Sequence, residues 1–158
     1  MIKIICVGKI KEKSLINLID EYKKRITKFS KIDIIEVKDF SDYENNNESL
    51  IDIVKEKEGE LLLRHIKDDD TVILIDLHGK HLDSLEFAKN LDKSLIEKRN
   101  DLVYVIAGSN GFGKNIYKRA NNRICFSKLT FPHNIVRLLL LEQIYRSYKI
   151  INNQIYHK

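Results

Sequence analysis

Five runs of β-branched and apolar residues punctuate the chain: IKIICVG (2–8), IDIIEV (32–37), TVILIDL (71–77), LVYVIAG (102–108) and RICFSKLTF (123–131). Those at 71–77 and 102–108 are almost uninterrupted, as strands covered on both faces of a parallel sheet are. Between the runs, apolar positions recur at helical spacing over roughly 14–29, 48–66, 84–99, 114–121 and 133–150. Asp83, followed three residues later by Glu86, predicts an N-terminal cap for the third helix. Strand and helix alternate throughout, so the predicted class is α/β, an open and mostly parallel sheet with helices on both faces. The polar, asparagine-rich stretch KDFSDYENNNES (38–49) reads as a surface loop, because the alternation resumes unchanged after it. A single domain over 1–158 is expected.

The last helix is apolar on more than one side. At about 100° per residue, Leu138, Leu140, Leu141, Ile144, Tyr145 and Tyr148 fill one arc. Ile135, Val136 and Leu139 make a second patch among Glu142, Gln143 and Arg146. Both must be covered, which predicts a homodimer. Arg137 falls inside the large arc, where a guanidinium needs an anionic or carbonyl partner. A structural ion pair at a subunit interface and a substrate phosphate or cofactor carboxylate each satisfy that need. Pro132, the chain's one proline, lies in LTFPH (129–133). It disfavours helix at Phe131 and suits the first turn of the helix that follows, so it marks a strand-to-helix passage.

Composition narrows the class without deciding it. A chain of 158 residues, 43% hydrophobic, can bury one sizeable core. No apolar run reaches the ~18 residues of a membrane span. The opening MIKIICVGKIKEK lacks the apolar region and cleavage site of a signal peptide, so a cytoplasmic protein is expected. Cys6 and Cys125 lie in strand-like runs and read as buried, reduced thiols. A net charge of +5 is compatible with RNA binding and with an ordinary domain alike.

The glycine cluster AGSNGFGKN (107–115) follows a strand and opens a helix. Gly108 to Lys114 spells G-x-x-x-x-G-K, with Asn115 where a P-loop has its magnesium-binding hydroxyl. VILID, ending at Asp76, imitates a Walker B strand but precedes the loop. A P-loop-like nucleotide hydrolase is thus one alternative. The dinucleotide fingerprint G-x-G-x-x-G is not met. Glycines at a strand's carboxyl end nevertheless let a ligand approach the backbone, at the end where open α/β sheets bind ligands. His78 and His81 with Asp76 offer little metal-site geometry, so no metal is expected and they read as solvated loop histidines. His65 reads as a surface residue. The tail INNQIYHK (151–158) is either a fraying terminus or a segment ordering over a bound base. In the second case Tyr156 stacks while His157 and Lys158 meet phosphate.

Taken in order, VIAGSNGFG, FSKLTFPHNIVRLLLLEQIYRSYKI and a terminal YHK closely resemble the RlmH family of SPOUT-superfamily methyltransferases. The opening VGKIKEK and the central EKEGE (56–60) extend the resemblance over the whole chain. That family methylates N3 of a pseudouridine in large-subunit (23S) ribosomal RNA. The resemblance implies a C-terminal trefoil knot, a rare exception to ordinary connection rules. It also implies a homodimer binding S-adenosyl-L-methionine (SAM) at the knot. The cofactor contacts then fall on Ile75, Ala107, Gly108, Phe126, Ser127, Lys128, Leu129, Thr130 and Phe131. Ala107 stands where the family has the first glycine of a pair. Catalysis requires in-line alignment, exclusion of water and removal of the N3 proton. His133, Arg137, Tyr156 and His157 are the candidates, with Arg137 suited to anchoring or charge stabilisation because it keeps its proton. The resemblance further implies that one subunit holds SAM while its partner's tail helps hold RNA. With modest charge and no appended RNA-binding domain, the expected substrate is the assembled ribosome. A non-catalytic ribosome-binding module with the same fold is a second alternative.

Overall fold

The computed structural model describes residues 1–41, 47–97 and 100–156. Ten elements alternate along it: β1 (Ile2–Val7), α1 (Lys13–Ile26), β2 (Ile32–Val37), α2 (Glu48–Leu63), β3 (Thr71–His81), α3 (Ser84–Glu97), β4 (Leu102–Ile106), α4 (Lys114–Arg119), β5 (Asn122–Cys125) and α5 (His133–Ile151). The strands form one sheet in the order β2-β1-β4-β3-β5, and every pairing is parallel. The α/β expectation, with its helices on both faces, is met.

Side-chain alternation explains the layers. Ile2, Ile4 and Cys6 of β1 join a core with Ile19 and Ile26 of α1, Phe87 and Leu91 of α3, and Leu140, Leu141, Ile144 and Tyr148 of α5. Ile5 and Val7 point the other way, into a second core with Leu62 of α2 and Ile116 of α4. Each fully buried isoleucine contributes about 1.5–3 kcal/mol. The Asp83–Glu86 cap forms reciprocally: Glu86 N–H donates to Asp83 Oδ1 at 2.7 Å and Asp83 N–H to Glu86 Oε2 at 2.9 Å. Lys3 pairs with Asp101 at 2.7 Å and Asp70 at 3.6 Å, tying together the amino-terminal pole of the sheet.

Two expected boundaries move, both near the site. The strand expected at 123–131 stops at Cys125. Beyond it, the Cys125 thiol donates to Ser127 O at 3.0 Å and Leu129 N–H donates to Ser127 Oγ at 3.0 Å. These local bonds replace the ladder and free residues 126–132 from the sheet. Conversely, β3 runs on to His81, because Ile75 and Lys80 both pair with Ile124 across a bulge. Gly79 permits that close approach; a Cβ there would lie 2.6 Å from Ile124 backbone atoms. His78 and His81 are exposed as expected, but in this strand extension, not in a loop. His65 is exposed, and both cysteines are buried and free. Among the described residues no helix is long and apolar enough to cross a membrane.

Candidate active site

The carboxyl ends of β3, β4 and β5 open on a cavity of about 690 Å³, within the range of small-molecule sites. Ile75 to His78 form one wall and Ile106 to Phe112 a second. Residues 125–127 and 129–133 form a third, with Lys55, Tyr117 and Val136 at the margins. Ile75, Ala107, Gly108, Phe126, Ser127, Leu129, Thr130 and Phe131 therefore share one surface, whereas Lys128 is not on it. The ends of three separate strands supply them, which is why no single motif contains them.

The glycine loop is shaped by close packing behind it. A Cβ on Gly108 would lie 3.0 Å from Val7 Cγ1 and 3.1 Å from Glu58 Oε2, while Gly111 turns the loop at φ +81°. Ala107 does not have a left-handed backbone, so a side chain there imposes no backbone strain. Helix α4 packs tightly on α2: a Cβ on Gly59 would sit 2.1 Å from Asn115 Oδ1, and one on Gly113 2.7 Å from Lys55 O. Glycine in EKEGE is thus a packing requirement.

The P-loop alternative fails at this same helix. Lys114 N–H donates to Glu56 Oε1 at 2.5 Å, and Asn115 Nδ2 donates to Glu56 O at 2.8 Å. The position where a P-loop holds phosphate is taken by the chain's own carboxylate. Asp76 is likewise engaged, accepting from the Tyr117 hydroxyl at 3.1 Å and pairing with Arg123 at 3.7 Å. Burial, reinforced by Asp76, pushes the Tyr117 phenol up to about 12. No cluster of three or more metal-ligating side chains occurs among the described residues.

At the start of α5, His133 lines the cavity and Arg137, one turn on, does not. The Arg137 side chain is 2% exposed and runs to the ends of β1 and β2. There it donates to Gly8 O at 3.0 Å and forms an ion pair with Glu36. The partner demanded by its place in the apolar arc lies within the same chain. Gly8 turns at φ +85°, and its N–H donates to Val37 O at 2.9 Å. Arg137 thereby fastens α5 to two strand ends and fixes where His133 stands. Burial pushes the nearby Cys6 thiol up to about 12, against the pull of Arg137, which leaves it a poor nucleophile.

Tyr156 is absent from the cavity wall. Its ring packs edge-on against Tyr145 at 5.1 Å, with the Arg146 guanidinium 4.9 Å from its centroid. Its hydroxyl lies 3.4 Å from Glu142 Oε1. Burial is the main influence pushing that phenol up to about 12. His157 and Lys158 lie outside the described residues.

A family model described as "Predicted SPOUT methyltransferase" matches residues 1–157. The chain belongs to the SPOUT methyltransferase family. Among its relatives, proteins named "Ribosomal RNA large subunit methyltransferase H" from Clostridium beijerinckii and Clostridium botulinum are each 46% identical over 157 residues. The corresponding protein of Clostridium tetani is 45% identical. In each case the match covers 99% of both chains.

SPOUT methyltransferases use SAM, and the cavity fits it. Its volume suffices, its apolar walls suit an adenosine, and its glycine loop offers backbone at close range. When bound, SAM supplies a methyl group already activated by its sulfonium. Ile75, Ala107, Gly108, Phe126, Ser127, Leu129, Thr130 and Phe131 would hold it.

Sequence reasoning passed over two residues beside this site. Asp39 is half-buried and Glu58 is 1% exposed, although 38–49 reads as a surface loop and EKEGE as a charged helical stretch. The available signal was spacing. Glu58 stands one turn before the buried Leu62 and next to the close-packed Gly59, on the inward face of α2.

Proposed function

We propose that this SPOUT methyltransferase transfers the methyl group of SAM to N3 of a pseudouridine in 23S ribosomal RNA, acting on assembled ribosomes. The observation that carries the reading is the convergence, on one cavity, of the glycine loop, the segment after β5 and His133. Relatives that match nearly end to end and are named for large-subunit ribosomal RNA supply the substrate class.

The chain's own residues have four tasks. The walls at 75–78, 106–112 and 129–133 align the donor and exclude water. His133, on the cavity wall, takes the N3 proton. Arg137 anchors the ends of β1 and β2 behind it. The tail residues Tyr156 and His157 of a partner subunit close over the base, with Lys158 at its phosphate.

The proposal includes a trefoil knot in which the chain from β5 into α5 passes through a loop, and a single cytoplasmic domain over 1–158. It also includes a homodimer. Leu85 at 55% exposure, Phe131 at 40% and Ile135 at 37% leave an apolar surface along α3 and α5 for a second copy to cover. The test is incorporation of label from methyl-labelled SAM into ribosomes and into protein-free 23S RNA, both from cells lacking the enzyme. Label in ribosomes, with little in free RNA, is expected. Equal labelling defeats the ribosome requirement. Ribosome binding with no label in either supports the non-catalytic alternative.

A further inference from the structure

Two carboxyl groups lie beside Gly8 and Gly108, the second of which lines the cavity. Glu58 Oε1 accepts from Phe40 N–H at 3.0 Å, and its buried Oε2 has no hydrogen-bond donor among the described residues. That oxygen is aimed at Gly108, where a Cβ would come within 3.1 Å of it. Asp39 follows β2, and its Oδ1 accepts from Ser41 N–H at 2.7 Å. Ser41 Oγ in turn accepts from the Ser109 hydroxyl of the glycine loop at 3.1 Å. Asp39 Oδ2 and His133 Nε2 flank one point, lying 3.7 and 3.4 Å from where a Cβ on Gly8 would be. Asp39 thus stands between Glu58 and the histidine on the cavity wall.

Two adjacent carboxylates do not both ionise readily in a buried site. Burial is the largest influence on Glu58; with the charge of Asp39 it pushes that carboxyl up to about 7, against the Phe40 N–H. Burial also opposes ionisation of Asp39, but the Ser41 hydroxyl and N–H, Glu58 and His133 together hold it below its ordinary value. The proton therefore resides on Glu58, where it gives the pair a hydrogen bond. The negative charge resides on Asp39, facing His133. The Arg137–Glu36 ion pair also meets Gly8, through its carbonyl.

Resting on the functional reading above, we propose that Asp39, kept ionised by a protonated Glu58, is the positioning residue for His133: it orients the imidazole and stabilises the positive charge gained when His133 takes the N3 proton. In that step N3 bonds to the methyl carbon as the carbon–sulfur bond breaks and its electron pair stays on sulfur. The N3 proton goes to His133, and from there to water once the product leaves. Glu58 takes no part in the transfer, so the charge on the pair is the same before and after.

The test combines single-turnover methylation of ribosomes from pH 6 to 9 with SAM affinity by calorimetry and carboxyl-carbon NMR. Asp39→Asn is expected to lower the rate on the order of 10²-fold and to alter the shape of the pH profile, with SAM affinity within about threefold of wild type. Glu58→Gln, which still offers Asp39 a donor, is expected to recover most of the rate that Glu58→Ala loses. An Asp39→Asn enzyme with wild-type rate and pH profile overturns the inference while leaving the methyltransferase reading intact. If the wild type labels no ribosomes, that reading fails, and the carboxyl pair is judged by NMR. There, a Glu58 carboxyl protonated at pH 6 sustains the pair, and one already ionised at pH 6 overturns it.

Discussion

The Arg137–Glu36 pair allows an asymmetric prediction. Removing Glu36 leaves a guanidinium that is 2% exposed with the Gly8 carbonyl and the neutral Cys6 thiol beside it and no anion among its described partners. Breaking a buried pair costs about 3–5 kcal/mol, and the low end applies because Glu36 is 30% exposed, so water can enter where it stood. Glu36→Ala should therefore destabilise by about 3 kcal/mol, or roughly 6–12 °C in Tm for a chain of this size. Arg137→Met fills the arc among Leu140, Leu141 and Ile144 and returns Glu36 to water. It forfeits the bond to Gly8 O, for about 1.5 kcal/mol, the low end for a charged donor. The double variant Glu36→Ala/Arg137→Met should lie near Arg137→Met, far from the sum of the two single effects. Denaturant unfolding at one fixed protein concentration measures all three. Arg137→Met proving more destabilising than Glu36→Ala would refute the assignment of Glu36 as the essential partner.

Asp83→Ala removes one half of the reciprocal cap on α3 and should cost about 1 kcal/mol, seen as a drop of roughly 2–4 °C in Tm. Stability should also depend on pH through Glu58. Its folded value near 7 stands above the ordinary 4.5, so the native state binds more protons between those limits. The resulting stabilisation is full below about 4.5 and lost as pH rises through 7, on the order of 3 kcal/mol in all. Urea midpoints at pH 5 and pH 8 measure the change, and Glu58→Gln should remove most of it.

The alternation of strands and helices was legible because each period is local: the β-branched runs and the Asp83–Glu86 cap need nothing distant to announce themselves. The demand that Arg137 find an anion was legible too, because a charge in an apolar arc is a physical contradiction wherever it occurs. Its partner was not. Glu36 lies 101 residues away, and only the sheet order β2-β1-β4 and the packing of α5 bring the two together. Residues 126–131 read as strand because Phe, Leu and Thr suit one, yet the bonds around Ser127 release them to line the cavity. Glu58 stayed hidden because a glutamate among lysines and glutamates reads as solvated until Gly59 reveals that α2 is covered on that side. The glycine loop at the end of β4 pointed to the ligand-binding end of the sheet, but the other two walls of the cavity, from β3 and from the segment after β5, were reached only through resemblance.

The position of the transferred methyl tests the central claim most directly. Ribosomes from cells lacking the enzyme, incubated with it and methyl-labelled SAM, should carry one label per large subunit. Nuclease digestion and mass spectrometry should place that label on N3 of a pseudouridine. Label on another nucleotide or on protein, or no label under conditions where SAM binds, would contradict the account.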